Sequence, residues 1–180
     1  VAVDDADRTK ICSPHPDFTY GLNLNAGYKG FDLSAFFNGS QGNDIYNHTK
    51  AFNFPIFPNG NRTTDVIDSW RPDNTNATYP ALSNSLQGVE VNSNSFFVED
   101  GSFFRLKNLQ LGYTLNKDLV AKANIERVRV YVGATNLLTF TKYSGMDPEV
   151  GSSQPMQQGV ELTGAYPQNR TFLFGVNVQF

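Results

Sequence analysis

The sequence has almost no cysteine and few charged residues. Cys12 is the only cysteine, which excludes a disulfide scaffold and a zinc module held by several thiolates. Charged residues make up 17% of the 180 residues and the net charge is −3, whereas soluble domains are roughly 25% charged. Because no basic surplus is available to neutralise phosphates, a nucleic-acid binder is excluded.

Long apolar runs are also lacking. No stretch approaches the 18 or so apolar residues that predict a membrane-spanning helix, and the first residues, Val1–Asp5, predict no signal peptide. The chain is rich instead in aromatic residues, with 15 Phe and 8 Tyr, and in glycine, with 15 residues. This composition is typical of a β protein.

Five stretches alternate strictly between apolar and other residues. In the last of them Phe172, Phe174, Val176 and Val178 share one face, and Gly175 and Asn177 lie on the other. This period of two predicts strands with one apolar face. The predicted strands are 18–29, 31–40, 103–115, 126–140 and 170–180.

The length of these strands favours a membrane. Each has about 10–15 residues, whereas strands of soluble proteins average about 5–6, and a tilted strand crosses a bilayer in about 9–11. The polar faces carry Asn, Gln, Gly and Thr rather than Lys or Glu, as in a wet barrel lumen. The alternative is a soluble β-sandwich with one buried face on each sheet.

Short and long connections alternate along the chain. Strands meet through Lys29-Gly30 and through 116–125, where Asn116 is predicted to cap a helical turn over Leu119–Ala123. The other connections, 41–102 and 141–169, are long, and we interpret them as external loops of an outer-membrane barrel, with 1–17 as the end of a preceding loop. Inside the first loop, short helices are predicted over Asn43–Ala51 and Thr64–Trp70.

Five strands cannot close a barrel. The smallest membrane barrels have about eight strands, and open sheet edges in lipid would leave backbone groups unpaired at several kcal/mol each. The chain is therefore expected to be the C-terminal part of a larger transmembrane antiparallel β-barrel.

Several runs resemble the SusC/RagA-type TonB-linked outer-membrane proteins, in collinear order along nearly the whole chain. They read DRTKICSPHPDFTYGLNLNAGYKGFDLSAFFNGSQGNDIYN from Asp7, SWRPDNTNATYPALS from Ser69, FVEDGSFFRLKNLQLGYTL from Phe97, VRVYVGATNLLTFTKYSGMDPEV from Val128 and YPQNRTFLFGVNVQF from Tyr166. One departure is Cys12, where members commonly carry a small residue; we interpret it as a free thiol without a catalytic role.

The resemblance implies a 22-stranded barrel with an N-terminal plug, driven by the TonB complex. It also implies a SusD-like surface lipoprotein that closes over the barrel, and import of oligosaccharides or peptides. Phe180 resembles the terminal signal that the barrel-assembly machinery reads. The plug and the segment that contacts TonB would lie upstream of residue 1.

Catalysis and metal binding are not predicted. His15 and His48 have no cysteine or acid at metal-ligand spacing, and no serine lies in a nucleophile motif such as G-x-S-x-G. Relatives often carry an Asp/Asn-rich calcium loop near the positions of Asp4, Asp5 and Asp7. Here the preceding ligands are absent, which favours a solvated acidic surface and no cofactor.

Ligand binding by the external segments is more plausible, because sugar rings stack on aromatic side chains and their hydroxyls need polar partners. The candidates for contact with substrate or with the lipoprotein lid are Phe52, Phe54, Phe57, Trp70, Arg71, Tyr79, Phe96, Phe97 and Tyr143. For Trp70, Arg71 and Tyr79 a structural role is the favoured alternative.

On the opposite faces of the strands, six residues are expected to face the lumen and contact the plug: Asn23, Asn25, Asn108, Gln110, Arg127 and Arg129. Arg105 and Lys107 share the parity of the lipid face near its external end, where charge is tolerated. Two other functions stay open, a passive porin or adhesin on a similar barrel and a soluble secreted carbohydrate-binding module.

Overall fold

A computed structural model describes residues 8–52, 61, 63–82, 94–149, 158–161 and 166–180. The chain falls into two compact units. The sheet unit comprises Pro16–Gly42, Ser102–Lys142 and Pro167–Phe180, and the loop unit comprises Val1–His15, Asn43–Gly101 and Tyr143–Tyr166.

The described residues contain eight strands. In chain order they are β1 (Phe18–Tyr28), β2 (Phe31–Gln41), β3 (Asp44–Asn47), β4 (Val98–Asp100), β5 (Phe103–Thr114), β6 (Arg127–Thr141), β7 (Val160–Glu161) and β8 (Thr171–Gln179). Two short α-helices, α1 (His48–Ala51) and α2 (Lys117–Val120), and three 3₁₀ turns (Thr64–Asp68, Ser95–Phe97 and Ala121–Ala123) complete the elements. No helix in this part of the chain is long and apolar enough to cross a membrane.

The sheet unit is one antiparallel sheet of five strands in the order β1-β2-β5-β6-β8. These are the five strands predicted from the alternation, and no strand end differs from its prediction by more than one residue. The alternation locates them well because it is a local property of the chain. Strands β1 and β8 form the two edges of the sheet.

The strand register places apolar residues on the same face across the whole sheet. One lateral row runs from Leu24 through Ala35, Leu109 and Ala134 to Phe172. This face is open to its surroundings, and Phe172 and Phe174 are 70% and 73% exposed. An exposed apolar face of this extent is typical of contact with lipid or a partner, and a soluble sandwich would bury it.

A β-bulge corrects the prediction for Arg105. The β5 register shifts by one residue at Leu106–Asn108 against both neighbouring strands, and Asn136 of β6 adopts a left-handed φ of 51°. Arg105 therefore lies opposite Asn38 and Thr139, on the polar face, and is only 2% exposed. The extra residue inverts the alternation, so the guanidinium avoids the apolar face; Lys107 lies at the shift itself.

The two short connections have local causes. Lys29 and Gly30 both have positive φ, 47° and 88°, as a two-residue type I′ hairpin requires. Helix α2 begins after Asn116, whose side chain accepts a hydrogen bond from the Asp118 N–H at 3.2 Å. The helical segment thus starts two residues before the predicted range, and Asn124, with φ of 55°, ends its 3₁₀ extension.

The loop unit contains a three-stranded sheet, in the order β4-β3-β7, that the sequence did not predict. The helix predicted over Asn43–Ala51 is wrong in its first half, where β3 pairs antiparallel with β4 and parallel with β7. Ile45 and Tyr46 suit a strand, and only His48–Ala51 is helical. The helix predicted over Thr64–Trp70 is a 3₁₀ turn that ends at Asp68.

The facing of β6 can be tested by placing arginine on either side of the sheet. Val132 lies on the apolar face between Leu111 and Phe174, and Thr135 lies on the polar face between Asn108 and Thr171. With the full-length protein folded into phospholipid bilayers, we expect Val132→Arg to lower the free energy of unfolding by about 2–4 kcal/mol. Thr135→Arg is the control and should cost much less; equal costs in a urea titration would refute the facing.

A second prediction concerns the close contact of Tyr20 with β2. A Cβ built on Gly39 would lie 2.7 Å from the Phe103 carbonyl oxygen and would also strike the Tyr20 ring, whereas a Cβ on Gly27 meets only ordinary contacts. Since a backbone carbonyl cannot move aside, we expect Gly39→Ala to destabilise the folded protein by about 1–3 kcal/mol. Gly27→Ala is the matched control, and similar unfolding midpoints for the two variants would contradict the prediction.

Candidate functional site

The polar face of the sheet unit carries the predicted lumen residues in adjacent rows. Asn23 and Asn108 lie on either side of Phe36, and Asn25 and Gln110 lie on either side of Ser34. The register therefore brings the four amides together on one face of the sheet. Whether that face contacts a plug stays a prediction.

The two arginines of β6 differ in their surroundings. Arg129 donates from Nε to Asp32 Oδ1 at 2.9 Å and from Nη2 to Asp32 Oδ2, and its guanidinium lies 5.0 Å from the centre of the Tyr131 ring. Arg127 is exposed at the end of the strand opposite Gln179. Arg129 is thus held by its own sheet, and of the two arginines Arg127 is the better placed to meet a partner. Phe180 follows β8 and is 87% exposed.

The predicted binding aromatics divide by exposure. Phe97 and Tyr143 are buried, at 2% and 5% exposed, so their rings pack inside the loop unit. Phe52, Trp70 and Phe96 are exposed and could stack on a ligand. Phe54 and Phe57 lie outside the described residues.

The segment Asp68–Tyr79 is held by hydrogen bonds among its own residues. The Trp70 N–H donates to the Tyr79 carbonyl at 2.8 Å, and the Asp68 carboxylate accepts from the Thr78 N–H at 3.1 Å and from Asn74 Nδ2 at 3.3 Å. Hydrogen bonds from Thr78 and Asn74 hold the pKa of Asp68 below its ordinary value. These contacts support the structural alternative for Trp70, Arg71 and Tyr79, although Tyr79 also packs edge-on against Phe96 at 5.5 Å.

Glu99 is the centre of a polar network in the loop unit. Its Oε2 accepts from the Ser144 N–H at 2.8 Å, and its Oε1 accepts from Ser144 Oγ at 2.8 Å, Lys50 Nζ at 3.2 Å and Asn47 Nδ2 at 3.3 Å. Burial raises the pKa of Glu99, but the hydrogen bonds from Ser144 and Lys50 outweigh it and the net pKa lies below the ordinary value. The carboxylate therefore stays ionised and joins β4, α1 and the segment after β6.

Asn47 holds this network to the start of α1. Its Oδ1 accepts from the Lys50 N–H at 2.8 Å and caps the helix, while its Nδ2 reaches Glu99 and Ser144. Because the Asn47 side chain both caps the helix and donates to Glu99, it fixes the position of Lys50 relative to Glu99.

A second carboxylate, Glu161 on β7, is buried nearby in the same unit. It is 3% exposed, and it accepts from Tyr143 Oη at 2.8 Å and from the Met146 N–H at 3.3 Å. Burial and the contact with Glu161 raise the pKa of Tyr143 above its ordinary value, so the phenol stays a donor.

Both networks border a cavity of about 500 Å³ inside the loop unit. Its walls carry mostly hydroxyl, amide and charged groups: Asn47, Thr49, Lys50, Thr63, Asp65, Tyr79, Ser144, Gly145, Met146 and Glu161. A volume of this size is typical of a site for a small ligand or for one unit of a polymer. We take this cavity as the candidate functional site.

Sequence reasoning missed most of this site, naming only Tyr79 and Tyr143. The one local signal is that Glu99 and Glu161 each follow a valine in a short apolar stretch, which is typical of a charged residue within a strand. Within the described ranges, no group of three or more His, Cys, Asp or Glu could hold a metal ion. His15 is exposed, the His48 ring packs 6.4 Å from that of Tyr46, and Asp4, Asp5 and Asp7 lie outside the described residues.

The Glu99 network yields a stability prediction. We expect Glu99→Gln in the full-length protein to destabilise the loop unit by about 1–3 kcal/mol, because an ionised acceptor of four hydrogen bonds is lost. Amide hydrogen exchange at β3 and β4 would detect the loss as faster exchange. Asp73→Asn is the control, since the Asp73 side chain is 79% exposed in its ion pair with Arg71; equal acceleration by both variants would contradict the prediction.

The same network sets the direction of a pH effect. A carboxylate whose pKa is lower in the folded state stabilises that state above the ordinary pKa of about 4.3. This stabilisation is lost as the pH falls through the lowered value. The protection of the β4 amides, corrected for the intrinsic pH dependence of exchange, should therefore fall under acid more in the unmodified protein than in Glu99→Gln. The same acid response in both proteins would contradict the assignment.

Curated relatives and solved structures match nearly the whole chain, although no protein-family model matches it. The "TonB-dependent receptor P3" of Formosa agariphila is 40% identical over 185 residues, which is 99% of this chain and 18% of the relative. The "TonB-dependent receptor SusC" of Bacteroides thetaiotaomicron is 31% identical over 180 residues, which is 99% of this chain and 16% of the relative.

Among solved structures, the RagAB peptide importer in the open-open state matches 92% of this chain and 17% of its own, with 34% identity and a TM-score of 0.75. The closed-closed state matches 94% of this chain and 18% of its own, with 33% identity and a TM-score of 0.74. The chain thus spans less than a fifth of the length of these proteins. Sequence and fold agree that it is a barrel segment of the SusC/RagA type of TonB-dependent outer-membrane receptor.

Proposed function

We propose that this chain forms the C-terminal barrel wall and two external loops of a transporter that imports oligosaccharides or peptides. The transporter would be energised by the TonB complex and would work with a SusD-like surface lipoprotein. In this arrangement the apolar face of the sheet unit meets outer-membrane lipid, the polar face meets the lumen and plug, and the loop unit contacts substrate or lid.

The observation that carries the proposal is the continuity of the two faces. The five strands pair side by side, and below the bulge in β5 a polar row such as Asn25–Ser34–Gln110–Gly133 alternates with each apolar row. Such a sheet suits a wall between lipid and water. The edges β1 and β8 would pair with further strands, because unpaired backbone groups are costly in lipid.

The loops support the same arrangement. Both long connections leave the sheet from one end, after Gln41 and after Thr141, and both short turns lie at the other end. This is the asymmetry of outer-membrane barrels, with short periplasmic turns and long external loops. A RagAB peptide importer is among the solved structures that match this chain, which supports peptides as one class of cargo.

Uptake by cells that carry the full receptor would test the proposal. We expect uptake of fluorescently labelled oligosaccharides or peptides to require the receptor, an energised inner membrane and the partner lipoprotein. A passive porin would keep transporting after a protonophore collapses the energy supply, and an adhesin would bind without uptake. Either result would overturn active import.

The exposed aromatics of the loop unit give a more local prediction. Phe52 is 40% exposed, and we expect Phe52→Ala to reduce uptake several-fold at unchanged surface amounts, because the ring would contact substrate or lid. Ile67→Ala removes an apolar side chain that is 67% exposed in the same unit and is the control. Equal uptake by the two variants would mean that Phe52 contacts neither substrate nor lid.

A further inference from the structure

Among the described residues, the buried carboxylate of Glu161 accepts hydrogen bonds from neutral donors only. The Tyr143 hydroxyl and the Met146 N–H supply its two hydrogen bonds. Within the part of the chain that the structure describes, no Lys, Arg or His side chain lies at ion-pair distance from Glu161. The carboxylate therefore has hydrogen-bond donors but no counter-ion among the described residues.

Among the described residues that line the cavity, the only cationic side chain is already engaged. Lys50 donates to Glu99 at 3.2 Å, and its ammonium group lies 5.0 Å from the centre of the Phe96 ring. Asp65, also on the wall, is exposed and accepts a hydrogen bond from Thr63 Oγ1 at 2.9 Å. With Lys50 balanced by Glu99, Asp65 and Glu161 give the described part of the cavity wall a net negative charge.

A buried carboxylate in a negatively charged cavity would be stabilised by a bound cation. Burying an ionised carboxylate without a counter-charge is costly, and a paired cation that also donates hydrogen bonds recovers much of that cost. A carboxylate offers about four acceptor positions, and Glu161 uses two of them in the described contacts. The cavity of about 500 Å³ has room for a ligand group beside it.

We propose that the cavity is a binding subsite for a positively charged group of the transported ligand, with the Glu161 carboxylate as its counter-ion. The group is an ammonium or guanidinium, supplied by a peptide or by an amino sugar. The proposal rests on the proposed function and narrows its substrate class, because ligands rich in sulfate or uronate would be repelled. Asp65 adds long-range attraction at the exposed part of the wall.

The neighbouring residues would position both the carboxylate and the ligand. Burial and the contact with Glu161 raise the pKa of Tyr143, so its hydroxyl keeps donating and fixes one carboxylate oxygen. Asn47, Thr49 and Ser144 offer neutral donors and acceptors on the same wall. These groups suit the uncharged part of either kind of ligand.

Calorimetry with matched probes on the purified receptor–lipoprotein complex would test the proposal. One pair of probes is a short peptide with a single free lysine ammonium, blocked at both ends, and the same peptide acetylated on that lysine. The other pair is a glucosamine trimer and its N-acetylated counterpart. We expect the charged member of at least one pair to bind at least about tenfold tighter than its acetylated counterpart, and the pair that shows the preference identifies the source.

Substitutions would then assign the preference to this cavity. Glu161→Gln should bring the ratio of the affinities for the charged and acetylated probes close to one. Asp65→Asn, at an exposed position, should weaken the charged probe by a smaller factor and guards against misfolding of the buried variant. Asp73→Asn removes an exposed carboxylate that does not line the cavity and should change neither probe.

Several outcomes would overturn the subsite. These are equal affinity for charged and acetylated probes, an unchanged preference in Glu161→Gln and Asp65→Asn, calcium displacing the charged probes from the cavity, or a receptor structure that pairs Glu161 with another side chain of the receptor. If energy-dependent uptake persists without any preference for cations, the subsite is wrong and the importer stands. If uptake needs neither energy nor the lipoprotein, the proposed function itself fails.

Discussion

The pairing of every backbone N–H and C=O group is the constraint on which the sheet unit depends. In an apolar surrounding an unpaired peptide group costs several kcal/mol, so five long strands must keep one continuous ladder. That ladder fixes which side chains share a face. Leu24, Ala35 and Leu109 lie in one row because their backbones pair. The bulge near Lys107 interrupts the pairing locally and changes the facing of Arg105, and the ladder resumes beyond it. The apolar face therefore follows from backbone pairing and sequence alternation together.

The sheet was predictable because its signal is local, and the loop unit was not because its signal is distant. Alternation over ten residues defines a strand before any partner is known. By contrast, Ile45 is a strand residue because β4 and β7 pair with β3, and β4 lies more than fifty residues further along the chain. A local pattern of apolar residues cannot distinguish that strand from the start of α1. The prediction for Arg105 was wrong for a related reason. A one-residue bulge inverts the alternation of side chains between the two faces and cannot be recognised from composition.

Charge is scarce in this chain, and three of its carboxylates differ in the partners that the structure gives them. Asp32 holds Arg129 on the polar face, and Glu99 holds Lys50 in the loop unit. Within the described residues Glu161 is buried against neutral donors only. The local sequence around these three carboxylates does not show which of them has a cationic partner. The structure distinguishes the three carboxylates by the groups that lie within hydrogen-bond distance of each.

The candidate site is assembled from several distant pieces of the chain, and this has a consequence for how specificity can change. Lys50 and Asp65 come from the connection between β2 and β5, whereas Ser144 and Glu161 come from the connection between β6 and β8. Substitutions in either connection would alter the cavity, while the strand register of the sheet unit would stay as it is. Loops supported by a rigid sheet are where binding residues concentrate for this reason. A change of ligand charge would then need few steps, since replacing Glu161 or Asp65 changes the net charge of the cavity without disturbing a single ladder hydrogen bond of the five-stranded sheet.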